Sequence, residues 1–150
     1  NLPIEELKKA AIAQMQDGEP VWFGCDVGKR SERDLGVMDL DLYHTEQLLN
    51  TEFTMTKAER LDYGQSLMTH AMVLTGVDLD EDGKPIRWKV ENSWGDESGD
   101  KGFFVMSDEW FGEFAYQILL DRSYFSAEQN AQFDAEPILL APWDPMGSLA

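Results

Sequence analysis

The sequence has one cysteine, Cys25, and two histidines, His44 and His70. A single thiol excludes an internal disulfide framework and a zinc site built from cysteines, and it fits a reducing, cytoplasmic compartment. Positive charge is also scarce: 12 Lys+Arg stand against 29 Asp+Glu, a formal net charge of −17. A chain this acidic repels a phosphate backbone, which argues against autonomous nucleic-acid binding. The acids are spread along the chain, so they read as a solvated surface. No apolar run approaches the roughly 20 residues that cross a bilayer, so no membrane partner is expected. The opening Asn1-Leu2-Pro3-Ile4-Glu5-Glu6 lacks an initiator Met, a basic n-region and an apolar h-region. It reads as a start inside a longer protein and not as a signal peptide. Repeats and low-complexity tracts are absent.

Apolar material is plentiful. Hydrophobic residues make up 43% of the 150 residues, and aromatics 11%, with five Trp and eight Phe. That suits one domain, or a large piece of one, with a real core.

Pro3 to Gln16 reads as an amphipathic helix, with Ile4, Leu7, Ala11, Ile12 and Met15 near the i, i+3, i+4, i+7 spacing. Asp17-Gly18-Glu19-Pro20 ends it, and Val21 to Val27 reads as a strand. Gly28 to Leu42 is charged and Gly-interrupted, and reads mostly as loop. A short helix is expected within 42–53. Thr56-Lys57-Ala58-Glu59 is a capping-box pattern opening another, to about Leu61. Met68 to Val77 and Ile86 to Glu91 read as two strands, the first a buried one, joined by the polar turn Asp78 to Pro85 as an antiparallel hairpin. Phe103 to Ser107 is a further strand, Asp108 to Phe114 a tight turn or short helix, and Tyr116 to Asp121 a last strand. Ser126-Ala127-Glu128-Gln129 opens a brief helix, and the Pro-rich stretch from Pro137 is extended and irregular. Antiparallel strands with peripheral helices make an α+β fold.

Chemistry concentrates in the hairpin. His70 lies at the head of its first strand, and Asn92 at the end of its second, in Asn92-Ser93-Trp94-Gly95. The hairpin brings an imidazole and a carboxamide within reach, which a histidine needs to act as a general base in a fixed tautomer. Other features carry less. His44 has no such context and reads as a surface or packing residue. Asp78, Asp80, Asp82 and Gly83 begin a calcium-loop pattern, but its twelfth position is Lys89 where a bidentate Glu is required. An acidic turn is the better reading, and no metal is expected. Gly24, Gly28 and Gly36 lack phosphate-loop spacing. Asp108-Glu109 are adjacent, and adjacent carboxyls rarely aim at one substrate. Trp88, Trp110, Phe111 and Phe114 read as core.

The His70 and Asn92 segments resemble those of the papain-like cysteine peptidases, including Trp88 four residues ahead of the Asn. Val21-Trp22-Phe23-Gly24-Cys25-Asp26-Val27-Gly28-Lys29, Ser107-Asp108-Glu109-Trp110-Phe111 and the end Ala141-Pro142-Trp143-Asp144-Pro145-Met146-Gly147-Ser148-Leu149-Ala150 resemble the branch that contains bleomycin hydrolase and aminopeptidase C. The resemblance implies the papain-like fold, here mainly its antiparallel, barrel-like lobe, over residues 1–136. It implies His70 and Asn92 as catalytic groups, Trp94 as cover for the bond between them, a peptide substrate, and no cofactor. It also implies a homo-oligomer, a hexamer with sites facing a central cavity. Residues 137–150 would form a tail reaching the cleft, with Leu149 and Ala150 meeting the substrate's free amino group. Two departures stand out: Glu91 occupies a position that is often Lys, and the stretch 96–101 is longer and more acidic than usual.

The resemblance leaves a gap. The reactive Cys of such enzymes opens a helix, usually about 130–150 residues before the His. Cys25 is far closer to His70 and sits in a β-type run, so it reads as a small buried strand residue. The nucleophile, and the Gln of the oxyanion hole, are therefore expected on an N-terminal lobe outside this chain. The chain reads as the C-terminal portion of a thiol aminopeptidase, inactive alone. The alternative is a non-catalytic binding module that kept the lobe and lost the chemistry.

Overall fold

The computed structural model describes residues 1–145. Helix α1 spans Ile4–Gln16, with Pro3 at its N-cap and Glu5 and Glu6 in its first turn, where acids favour the helix dipole. Gly18, at φ +88°, lets the chain leave the helix. Strand β1 (Val21–Cys25) follows, then β2 (Ser31–Glu32), β3 (Val37–Met38), α2 (Thr45–Leu49) and α3 (Lys57–Asp62). The remainder is β4 (His70–Leu79), β5 (Pro85–Glu91), β6 (Phe103–Ser107), α4 (Asp108–Phe114), β7 (Ala115–Leu119), a 3₁₀ turn at Arg122–Tyr124, and α5 (Ala127–Phe133).

The strands form one curled, half-barrel sheet in the order β2-β3-β6-β5-β4-β1-β7. Its pairings are antiparallel except β3 with β6, which run parallel. The α+β, barrel-like expectation holds. The core lies on the concave face, where alternate strand residues Val21, Phe23, Met72, Leu74, Trp88, Val90, Phe104 and Met106 meet Trp110 and Phe111 of α4. Trp88 stacks on Phe111 with ring centroids 5.0 Å apart. Burying each such side chain contributes about 1.5–3 kcal/mol. Trp88, Trp110, Phe111 and Phe114 are thus core, as their sequence context implied.

Polar residues pin this core at its edges. Asp108 accepts from Lys8 Nζ at 2.6 Å and from Trp88 Nε1 at 3.0 Å, tying α1, β5 and α4 together. That is a structural role, in line with discounting the Asp108-Glu109 pair as an acid/base site. In the hairpin turn, Asp80 Oδ1 accepts from the Asp82 and Lys84 N–H groups at 2.9 and 2.8 Å, so this carboxylate closes the turn itself. Thr56 with Glu59, and Ser126 with Gln129, form reciprocal capping boxes at the starts of α3 and α5.

Several expectations need correction. The stretch 28–42 is mostly loop, as expected, and adds two short strands that the sequence reading did not include, β2 and β3. Val105 N–H donates to Gly36 O at 2.8 Å, which docks the stretch on β6. Gly36 is needed there, because a Cβ would stand 2.8 Å from both Gly99 Cα and Phe103 O. Strand β4 begins at His70, not Met68, and it is half-buried, with Ala71 and Thr75 exposed on the outer face. The last sheet strand is Ala115–Leu119, one residue earlier at its start than the side-chain pattern implied. Residues 136–141 are extended and irregular, and the exposed side chains there include Ile138, Leu139 and Leu140. Leu149 and Ala150 lie outside the described residues.

Candidate active site

Leu74 and Val90 face each other across the hairpin. Side chains alternate along strands, so His70 and Met72 share the face of Leu74, and Asn92, just past β5, shares the face of Val90. The two polar side chains meet at the rim of the core face. His70 Nε2 and Asn92 Oδ1 are 2.8 Å apart. Asn92 Oδ1 also accepts from the Ser93 N–H at 2.8 Å. An N–H donor of this kind fixes which end of the amide is oxygen. An amide oxygen cannot donate, so Nε2 carries the hydrogen and Nδ1 of the neutral ring keeps its lone pair.

Asn92 is 9% exposed, and among the described residues its Nδ2 is buried without an acceptor. Leaving a buried donor unpaired costs about 1–3 kcal/mol. Such a cost fits a group held for its chemistry better than one retained for stability.

Trp94 covers the pair. Its indole stacks on the imidazole with ring centroids 5.0 Å apart and planes 28° apart, and it makes a T-shaped pair with Phe104, ring centroids 5.9 Å apart. Excluding water from one side of the ring lowers the local dielectric and strengthens the orienting bond. Gly95, at φ +88°, turns the chain away after the indole. The loop beyond it is anchored by Arg33: its carbonyl accepts from Gly99 N–H at 3.0 Å, and its Nε donates to Ser98 Oγ at 3.0 Å. The Arg33 guanidinium also lies 5.3 Å from the Trp94 ring centroid. Sequence reasoning missed Arg33, since an exposed arginine in a charged stretch gives no signal of this contact.

His70, Asn92 and Trp94 therefore come together. Cys25 comes nearer than its sequence context implied, because the β1–β4 register sets it directly opposite His70. Yet it is fully buried in the core. Burial first, and then the Asp26 carboxylate, push its thiol well above the ordinary value. A nucleophilic cysteine needs the opposite environment. His44 is exposed at the N-cap of α2, where its side chain makes no capping hydrogen bond. Among the described residues, grooves of about 510 and 770 Å³ lie on the surface away from His70 and Asn92, which line neither of them.

The profile of the Peptidase C1-like family matches residues 1–147. Aminopeptidase C of Lactococcus lactis subsp. cremoris and that of Streptococcus thermophilus are each 57% identical over 150 residues. Bleomycin hydrolase of Homo sapiens is 50% identical over 153 residues. All of this chain is matched in each case, but it spans only 34% of those relatives' length. The crystal structure of pepW from Lactobacillus rhamnosis is similar at a TM-score of 0.93 and 58% identity, over 100% of this chain and 34% of that one. The chain therefore belongs to the Peptidase C1-like family and corresponds to the C-terminal third of its aminopeptidase C and bleomycin hydrolase members.

Proposed function

We propose that this chain supplies the histidine and asparagine of a Cys–His–Asn triad in a cysteine aminopeptidase that removes N-terminal residues from peptides. The 2.8 Å bond between His70 and Asn92 carries this reading. It commits Nε2 to Asn92 and leaves Nδ1 for a thiol that this chain does not offer, since Cys25 is buried. The thiol then belongs to an N-terminal lobe. Proton transfer to Nδ1 gives a thiolate–imidazolium pair, and the thiolate attacks the scissile carbonyl. The imidazolium proton next goes to the leaving amine, and the neutral ring accepts a proton from the water that hydrolyses the thioester. Donors on the other lobe hold the oxyanion. Asn92 keeps the ring in one plane and one tautomer through both steps.

The tail, 137–150, is the specificity element in this proposal. The terminal carboxylate of Ala150, with Leu149 beside it, faces the cationic amino group of the substrate and blocks binding further along the cleft. The enzyme works in the cytoplasm as an assembly of six copies with inward-facing sites, open to peptides and closed to folded proteins. The lone cysteine fits a reducing compartment.

Aminopeptidase assays on this 150-residue chain, alone and joined to an N-terminal lobe, test the reading. Turnover is expected only in the joined form. Thiol-dependent turnover by the chain alone, abolished by Cys25→Ala, would overturn it.

A further inference from the structure

The residues leading into His70 have no helix or strand hydrogen bonding of their own. They are held instead by a buried carboxylate outside the triad. Asp26 follows β1 directly and is 5% exposed. Its Oδ2 accepts from Ser66 Oγ at 2.8 Å and from Leu67 N–H at 3.2 Å, and its Oδ1 accepts from Thr69 Oγ1 at 3.4 Å. Ser66 spends its one proton on Asp26, so its 2.6 Å contact with Tyr116 Oη runs the other way, the phenol donating. The result is a directed chain from Tyr116 through Ser66 to Asp26.

The backbone reinforces it. Thr69 N–H donates to Cys25 O at 2.9 Å, and Asp26 N–H donates to Phe114 O at 3.0 Å. Met68 fills the space over Gly24, where an added Cβ would stand 2.3 Å from its Sδ. Each of Ser66, Leu67, Met68 and Thr69 is thereby tied to the end of β1, and His70 is the next residue.

We propose that Asp26 is a positioning residue for His70: by gathering the donors of Ser66, Leu67 and Thr69 on one carboxylate, it makes the approach to β4 rigid and sets where the imidazole meets the incoming sulfur. The proposal rests on the catalytic reading of His70. Misplacing a reacting group by about 1 Å costs on the order of 10²-fold in rate. Fixing the lead-in is therefore a requirement of the chemistry as well as of the fold. The carboxylate acts through its two acceptor oxygens and not through its charge. An asparagine can accept from Ser66 and Leu67 on its oxygen and donate from its amide to a reoriented Thr69 hydroxyl.

The test uses the complete enzyme, with kcat and KM measured separately on one peptide substrate. Asp26→Ala is expected to lower kcat at least about tenfold with KM within about twofold of the parent, and Asp26→Asn to restore kcat to within about threefold. Ser66→Ala, which breaks the chain while leaving Asp26 in place, is expected to lower kcat severalfold, with a melting temperature lowered by several degrees but still well above the assay temperature. It decides the matter if Asp26→Ala does not fold. Unchanged kcat in folded Asp26→Ala, an Asn variant as impaired as the Ala variant, or unchanged kcat in Ser66→Ala when Asp26→Ala is lost would each overturn the proposal. His70→Ala belongs in the same series. If it retains activity, the catalytic reading itself fails; if it is inactive while the Asp26 variants turn over normally, only the positioning role fails.

Discussion

Asn92 Oδ1 takes the Nε2 hydrogen of His70 at 2.8 Å while also accepting the backbone N–H of its own neighbour, Ser93, at 2.8 Å. One oxygen thus sets both the tautomer of the ring and the orientation of the amide. In the complete enzyme, Asn92→Ala frees the imidazole to rotate and to exchange tautomers. We expect kcat to fall on the order of 10²-fold with little change in KM, and His70→Ala to fall further. Steady-state kinetics on a peptide substrate measure both. A kcat for Asn92→Ala within a factor of about two of the parent would separate this bond from the chemistry.

Trp94 lies between the His70–Asn92 bond and solvent, stacked on the imidazole and packed at a steep angle against Phe104. Trp94→Ala should destabilise the lobe by about 2–3 kcal/mol, below the range for a fully buried Trp because this one is only partly buried. It should also lower kcat, as water reaches the His70–Asn92 bond. Trp94→Phe keeps an apolar ring over that bond and should recover most of the activity. Urea unfolding and kinetics on the same two variants test the two effects together.

Cys25 gives a prediction in pH. Burial holds its folded-state thiol above the ordinary 9.0. Below that value the thiol is protonated in both states, and the stability this group contributes is fully present. Above it, the unfolded chain releases the proton while the folded chain keeps it. Stability is then lost at about 1.4 kcal/mol per pH unit until the folded thiol also ionises. Unfolding free energies of the parent and of Cys25→Ala, compared from about pH 8 to about pH 10, should diverge in this direction. Lys57, pushed down to about 8 by burial first, titrates nearby but is present in both chains and cancels. In the complete enzyme, Cys25→Ala should keep its activity, since the thiol is enclosed in the core.

Deleting the last four residues of the complete enzyme should shift cleavage from the N-terminus of peptides toward internal bonds, because the terminal carboxylate then sits four residues back, out of reach of the amino group it is proposed to meet. Mass spectrometry of the products from a free peptide and its N-acetylated form reads the shift directly. An unchanged preference for the free N-terminus would remove the tail from the specificity mechanism.

Much of this was legible in order along the chain. The Thr56–Glu59 capping box, the 3.6-residue spacing before Asp17 and the polar turn between two apolar runs are local patterns. Each produced its element within a residue or two. The short strands Ser31–Glu32 and Val37–Met38 were not legible, because two residues are too few to establish a period. Their pairing depends on β6, which is remote in sequence. Asp26 and Arg33 were missed as supports for the same reason: their partners, Ser66 to Thr69 and Trp94 with Ser98, lie across the fold.

The sequence by itself determined the helices, the hairpin, and the presence of an imidazole and an amide at its two strand ends, since these follow from local pattern and from the alternation of side chains. Only the tertiary structure decided that Cys25 stands opposite His70 and is enclosed in the core, that Nε2 rather than Nδ1 is committed to Asn92, and that Asp26 fixes the approach to the ring. Those outcomes depend on strand register and on which donors converge in space, and both are set when β1, β4 and β5 pack together.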